Sequence, residues 1–242
     1  MFINTDKYSY LQIYESIAKY YPIGIPCEHN PAYNDYSGSK ERLKLLEENI
    51  LIETNFSTGW VRIESEMQTA IGHNIIGTTY GNYPSYSSYI EIEKNDLGDL
   101  IRYKEIYFFI SLLGPFYTVV GQDRNEIRAG NKIFRNTNFL IVSPENEFEV
   151  LFEKISKEIE SRFIGYKYVP FFIYSQVIDG LYTRYRTDNQ CTIFEAIFDN
   201  QINLDAPVIG NTTHKLDGWI NDGYDSANDS QWTLYAPYYN KD

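Results

Sequence analysis

The residues best suited to chemistry in this chain are sparse and scattered. Cys27 and His29 form a Cys-x-His pair in a proline-rich loop. A zinc site needs two more ligands of suitable type, and only His73, Cys191 and His214 could supply them, none at a recognisable zinc spacing. The stretch "GWINDGYDSAND", residues 218–229, has the look of a calcium loop. Setting Gly223 at the sixth position of an EF-hand loop puts Asp222 at the fifth and Asp229 at the twelfth. Gly218 and Ile220 then stand where the first and third side-chain oxygens belong, so a turn cluster of Asn, Asp and Gly is the simpler reading. Neither metal nor cofactor is expected. Glu91 and Glu93 alternate onto one face of "YSSYIEIEK" and are the nearest thing to a carboxylate pair for glycosidic chemistry, although such pairs normally come from different elements. Phosphate-binding glycine loops and the GxSxG elbow are absent from the sequence.

A second kind of chemistry is recognition. The chain carries 23 tyrosines and a formal charge of −12, and from residue 188 onward nine acids face two bases. Within that acidic end lie Trp219, Tyr224, Trp232, Tyr235, Tyr238 and Tyr239. Tyrosine and tryptophan bury large areas at low rotamer cost and keep a polar atom free, which suits them to protein interfaces. The expected docking face is therefore Asp217, Trp219, Asp222, Tyr224, Asp225 and Asp229, in a loop whose Gly, Asn and Asp content favours exposure. A solvated, solubilising face is the plainer use of the same acids. An acidic chain is poorly suited to neutralising phosphates, so nucleic acid is not expected as a partner.

These residues must be held by a fold, and one uncharged, strongly apolar run shows what kind. "IYFFISLLGPFYTVVGQ", residues 106–122, carries no formal charge in a chain that is 22% charged. It is short of the roughly 20 apolar residues that a membrane-crossing helix needs. Gly114-Pro115 in its middle would break a helix at a cost of about 3 kcal/mol. The β-branched and aromatic residues on either side predict two antiparallel strands, residues 106–113 and 116–120, central in a sheet and covered on both faces.

Other periodicities fill in the rest. Tyr10, Ile13, Tyr14, Ile17 and Tyr21 predict an amphipathic helix stopped by Pro22. "IGIPCEHNPAYNDYSGS" reads as loop, after which Ser39 caps a helix carrying Leu43, Leu46 and Ile50. Trp60, Ile63, Met67 and Ile71 predict another helix. "NFLIVS" predicts a strand leading to a helix with Ser143 as N-cap and a stripe of Phe148, Leu151, Phe152, Ile155, Ile159 and Phe163. "YVPFFIYSQVI" and "GLYTRY" read as strand-like, "CTIFEAIFDN" as a short helix and "SQWTLYAP" as a terminal strand. Helices and strands do not alternate strictly, so the expectation is a single α+β domain with a largely antiparallel sheet flanked by helices. With two distant cysteines and no basic-flanked apolar leader, a reducing cytoplasm is the expected location.

The helix ending in "AIGHNIIGTTYGNYPSY", the pair "FFISLLGPFYTVVG" and the late "TIFEAIF" together resemble immunity proteins of bacterial polymorphic toxin systems, over residues 57–200. That resemblance implies a cytoplasmic, acidic, single-domain α+β protein that inhibits by occluding a toxin domain, often a basic nuclease. It carries no catalytic signature and assigns no binding residues here. This chain is rather long for the group. The expectation is thus a non-enzymatic protein-binding protein, with a carbohydrate-acting enzyme or carbohydrate-binding module, working through an aromatic and acidic groove, as the alternative.

Overall fold

A computed structural model describes residues 7–27 and 30–220 of the chain. In chain order the strands are β1 (Tyr8–Ser9), β2 (Ile76–Gly77), β3 (Ser85–Asp96), β4 (Leu100–Ser111), β5 (Phe116–Ala129), β6 (Lys132–Ile141), β7 (Lys167–Tyr168), β8 (Val208–Ile209) and β9 (Trp219–Ile220). The helices are α1 (Tyr10–Tyr20), α2 (Pro31–Asp35), α3 (Ser37–Leu46), α4 (Glu53–Phe56), α5 (Arg62–Ile71), α6 (Glu149–Arg162), α7 (Phe171–Tyr174) and α8 (Ile193–Ile197). Wider, π-type turns at Glu47–Leu51 and Ser57–Val61 continue α3 and lead into α5. The result is a mostly antiparallel sheet flanked by helices, the α+β class the sequence implies.

The uncharged run folds as expected. β4 and β5 pair antiparallel, with Tyr107 opposite Val120 and Ile110 opposite Tyr117, and they occupy the middle of the order β2-β3-β4-β5-β6-β8. Alternation then decides which side chain enters which core. Ile106, Phe108 and Ile110 of β4, with Tyr117 and Val119 of β5, face α5 and α6 and pack with Trp60, Met67, Phe152, Ile155 and Ile159. Phe109, Phe116, Val120 and Leu140 face the other way, onto Ile13 and Ile17 of α1, Tyr174 of α7 and Phe194 and Ile197 of α8. A strand pair with both faces buried needs a run without charged residues, which is why the sequence has one here.

The α6 stripe is in place: Leu151, Phe152, Ile155 and Ile159 are buried, and Phe148 seats against Gly121 of β5. A Cβ at Gly121 would collide with the Phe148 ring and with Ile141, so this close approach of helix and sheet requires glycine. Other local expectations need correction. Ser143 does not cap α6; its hydroxyl accepts the Asn211 N–H at 2.8 Å, and a single 3-10 turn at Asn146–Phe148 starts the helix instead. Ser39 is not a cap either, because α3 begins at Ser37 and buries Ser39. The Pro-rich stretch expected as loop contains α2, whose N-cap Asn30 accepts the Ala32 N–H. "YVPFFIYSQVI" yields only the two-residue β7 and then α7; its aromatic residues signalled burial, which a short helix satisfies as well as a strand. "CTIFEAIFDN" does form α8, started by a capping box between Thr192 and Glu195. The terminal strand expected in "SQWTLYAP" lies outside the described residues.

Candidate functional site

Strands β3 to β6 are 12, 12, 14 and 10 residues long. Only their inner halves lie between the helical layers. Beyond Glu105 on β4 and Gln122 on β5 the sheet runs on as a wing in which Ile101, Tyr103 and Glu126 are buried while most of its residues on β3 and β6 are exposed. The sequence changes character at the same points, from an uncharged run to charges interleaved with isolated apolar residues. Paired positions on neighbouring strands share a face. One face of the wing therefore carries Leu100, Ile127 and Phe134 in a row across β4, β5 and β6. Ile127 is 47% and Phe134 54% exposed, large values for residues that elsewhere in this chain fill its cores.

The opposite face of the wing is held together by charge. Arg124 binds Glu105 through Nε and Nη2 at 2.7 and 2.6 Å, Tyr107 donates to the same carboxylate at 3.0 Å, and the guanidinium lies 4.0 Å over the Tyr103 ring. Glu126 accepts from Arg128 and Arg135 at 3.3 and 3.2 Å. These contacts tie β4, β5 and β6 together across this face, where Ile101 and Tyr103 are buried. A β-bulge between Glu91 and Glu93 also removes the carboxylate pair. Glu91 stands opposite Glu105, and Glu93 stands opposite Lys104 and pairs with it at 3.1 Å, so the two glutamates face opposite sides. Simple alternation could not show the inserted residue.

β6 forms the rim of the wing. On its inner side it pairs with β5 from Lys132 to Ile141; on its outer side β8 joins only at Leu140 and Ile141. Residues 132–139 thus present an open strand edge among the described residues, with Ile133, Phe134 and Phe139 exposed at 55%, 54% and 41%. An open edge with unpaired N–H and C=O groups is a template for another chain. Its charges are unusual for this protein. Residues 94–102 and 124–135 hold six bases (Lys94, Arg102, Arg124, Arg128, Lys132, Arg135) and three acids (Asp96, Asp99, Glu126). The tip of the wing is net positive while the whole chain is −12.

The residues expected to dock a partner are not brought together as a surface. Asp217 is exposed, in a turn at Leu216–Gly218. Trp219 is 7% exposed and belongs to the core: β9 pairs parallel with β1, the indole donates Nε1–H to the Tyr168 carbonyl at 2.9 Å, and the ring meets Tyr8 edge-on at 5.5 Å. Its turn-rich sequence context suggested exposure, but an indole whose one donor finds a buried carbonyl is a core residue. Asp222, Tyr224, Asp225 and Asp229 lie outside the described residues.

One further polar cluster borders a cleft of about 150 Å³ lined by Phe152, Ser156, Glu160, His214 and Lys215. Glu160 accepts from Tyr117 and from Lys215 at 2.8 Å, and burial followed by the neighbouring Lys215 holds His214 below its ordinary pKa. Ser156 Oγ is buried without a hydrogen-bond partner, and no bond joins it to His214 among the described residues, so the pair lacks the contact that activates a serine. Among the described residues no group of three or more His, Cys, Asp or Glu is placed to hold a metal, and no helix is long and apolar enough to cross a membrane. Comparison with protein-family models, characterised proteins and solved structures returned no match.

Proposed function

We propose that this chain is a non-enzymatic binding protein whose partner is another protein, and that the partner adds a strand to the outer edge of β6. The observation that carries this reading is the open edge at residues 132–139 with its exposed Ile133, Phe134 and Phe139. Strand addition draws affinity from main-chain hydrogen bonds and specificity from alternating side chains, and this edge supplies both. Phe134 and Phe139 point to one side and Ile133 to the other, which gives an incoming strand two unlike surfaces to match. Lys132 and Arg135 discourage indiscriminate self-pairing. They also favour a partner strand that carries carboxylates or is neutral, while a basic body of the partner would be drawn to the acidic remainder of this chain. Neutralisation of a toxin domain in the cytoplasm, the role implied by the sequence resemblance, is the form of protein binding we propose.

The test uses the product of the gene next to the one encoding this chain, since an immunity protein is expected to be encoded beside its toxin. Isothermal titration should detect a complex with the wild type and a loss of at least about tenfold in affinity for Phe134→Asp. Hydrogen exchange on the complex should protect the amides of residues 132–139. A complex that leaves those amides unprotected would move the site elsewhere, and the absence of any complex would remove the toxin-neutralising reading.

A further inference from the structure

Arg42 on α3 is 5% exposed, yet no carboxylate lies within ion-pair distance of it among the described residues. A buried charge normally has a partner, because taking an ion out of water costs several kcal/mol that only opposite charge and hydrogen bonds offset. The guanidinium carbon sits 4.5 Å from the centre of the Tyr21 ring, and Nη1 donates to the Tyr21 hydroxyl at 3.3 Å. That hydroxyl donates in turn to the Ala196 carbonyl at 2.7 Å, so it meets Arg42 as a neutral acceptor. Nε is buried with no hydrogen-bond partner among the described residues, and the bond to Tyr21 uses Nη1 rather than Nη2.

The local fold fixes this arrangement. α3 closes tightly on the end of α1 at Gly38, where a Cβ would run into the Lys19 carbonyl oxygen. One helical turn later, that contact brings Arg42 over Tyr21, just beyond the last residue of α1. Arg42 also lines a cleft with Asn82, Tyr83, Arg184 and Tyr185, and since Nε is closed to solvent and Nη1 is bonded to Tyr21, Nη2 is the nitrogen left to meet a ligand there. The cleft encloses about 30 Å³ beneath a wider mouth, room for a head group of a few heavy atoms. Glu195 also lines it, but its carboxylate is already committed to the Thr192 N–H and to Arg186 at 2.8 and 3.2 Å. Tyr83 cannot supply the missing charge, since burial pushes its hydroxyl up to about 12.

We infer that this cleft is a binding site for the carboxylate of a small organic acid, which accepts a charge-assisted hydrogen bond from Nη2 of Arg42. Arg184 at the exposed rim adds positive charge at the entrance, and the paired rings of Tyr83 and Tyr185, 4.8 Å apart, line the way in for the organic part of the ligand. The site is independent of the β6 edge, on a different part of the molecule.

The test titrates the full chain with sodium benzoate, using benzamide as the neutral control and sodium chloride to match ionic strength. Thermal melting should rise with benzoate alone, and the Arg42 Nε–H resonance, assigned by its loss in Arg42→Met, should move on titration. Arg42→Met should fold, since Met replaces an uncompensated buried charge, and should weaken benzoate binding by about tenfold or more. If Arg42→Met fails to fold, the wild-type resonance together with Tyr83→Ala and Arg184→Met, which leave Arg42 intact, decides the matter by weakened binding. No benzoate response beyond chloride, or an equal response from Arg42→Met, would overturn the site. Phosphate binding more tightly than benzoate would overturn its assignment to carboxylates.

Discussion

Arg124 holds Glu105 by two parallel hydrogen bonds in a place where the carboxylate is only 1% exposed. The pair lies where the buried half of the sheet becomes the wing, so it sets how rigidly the wing projects. Removing one member would strand the other's charge out of water. Arg124→Met is expected to cost about 3–5 kcal/mol, read from the midpoint of urea unfolding. The double variant with Glu105→Leu should recover most of that loss, because two apolar side chains replace the pair without leaving an ion behind. A double variant no more stable than Arg124→Met would mean that the pair is held by more than mutual compensation.

Trp219 was expected to anchor a partner, and its burial changes what its removal should do. The indole packs with Tyr8, Tyr10 and Phe116 and joins the first described strand to the last. Trp219→Ala should lower stability by about 3–5 kcal/mol, as should Phe152→Ala on the opposite side of the sheet. The two sites lie in separate cores but share Tyr168, whose carbonyl accepts from Trp219 and whose ring packs near Phe152, so the double variant should depart from additivity in denaturant titrations.

How far the sequence could be read depended on which signal was available. The central hairpin was legible because Gly114-Pro115 interrupts a run that only two buried strands can use. The α6 stripe was legible because 3.6-residue periodicity survives along a long helix. Where elements are short, composition reports burial and says little of conformation, which is why residues 171–174 form a helix in a stretch that reads as strand. The site residues were harder still. The bulge at Glu91 and Glu93 leaves no mark in an alternating pattern, and Arg42 was passed over because a charged residue is normally assigned to solvent. On the α3 face only Leu43 departs from expectation, at 44% exposed; Leu46 and Ile50 are buried as expected, and Gly38, Ser39 and Arg42 complete the buried line. An arginine at helical spacing between small buried residues was the available clue.

The exposed residues of the β6 edge should be separable from stability. Ile133 and Phe134 are both more than half exposed, so Ile133→Asp and Phe134→Asp should shift unfolding free energy by no more than about 0.5–1 kcal/mol. That is the property expected of side chains kept for a partner. A large loss of stability in either variant would show that the residue supports the wing itself, and the binding defect of Phe134→Asp could then not be assigned to the interface.

Asp199 gives the protein an unusual dependence on acid. It is fully buried, and burial raises its pKa from the usual 3.8 to about 6, against the opposing effect of hydrogen bonds from Gln201, from the backbone N–H groups of Asn200 and Gln201, and from Ser87. A carboxyl with a raised pKa in the folded state binds its proton more tightly there than in the unfolded chain. Its contribution to stability is therefore full below about pH 4 and is lost as pH rises through about 6. The two-unit shift corresponds to about 2–3 kcal/mol. Ion-paired carboxylates such as Glu147, which Lys104 holds below the ordinary range, pull the other way, so the wild-type profile alone mixes both trends. The difference between wild type and Asp199→Asn isolates the residue. Urea unfolding at intervals between pH 4 and 7 should show wild type losing about 2–3 kcal/mol relative to the asparagine variant as pH rises, with most of the change between pH 4 and 6. A difference that stays flat across that range would mean that the hydrogen bonds to Asp199 fully offset its burial.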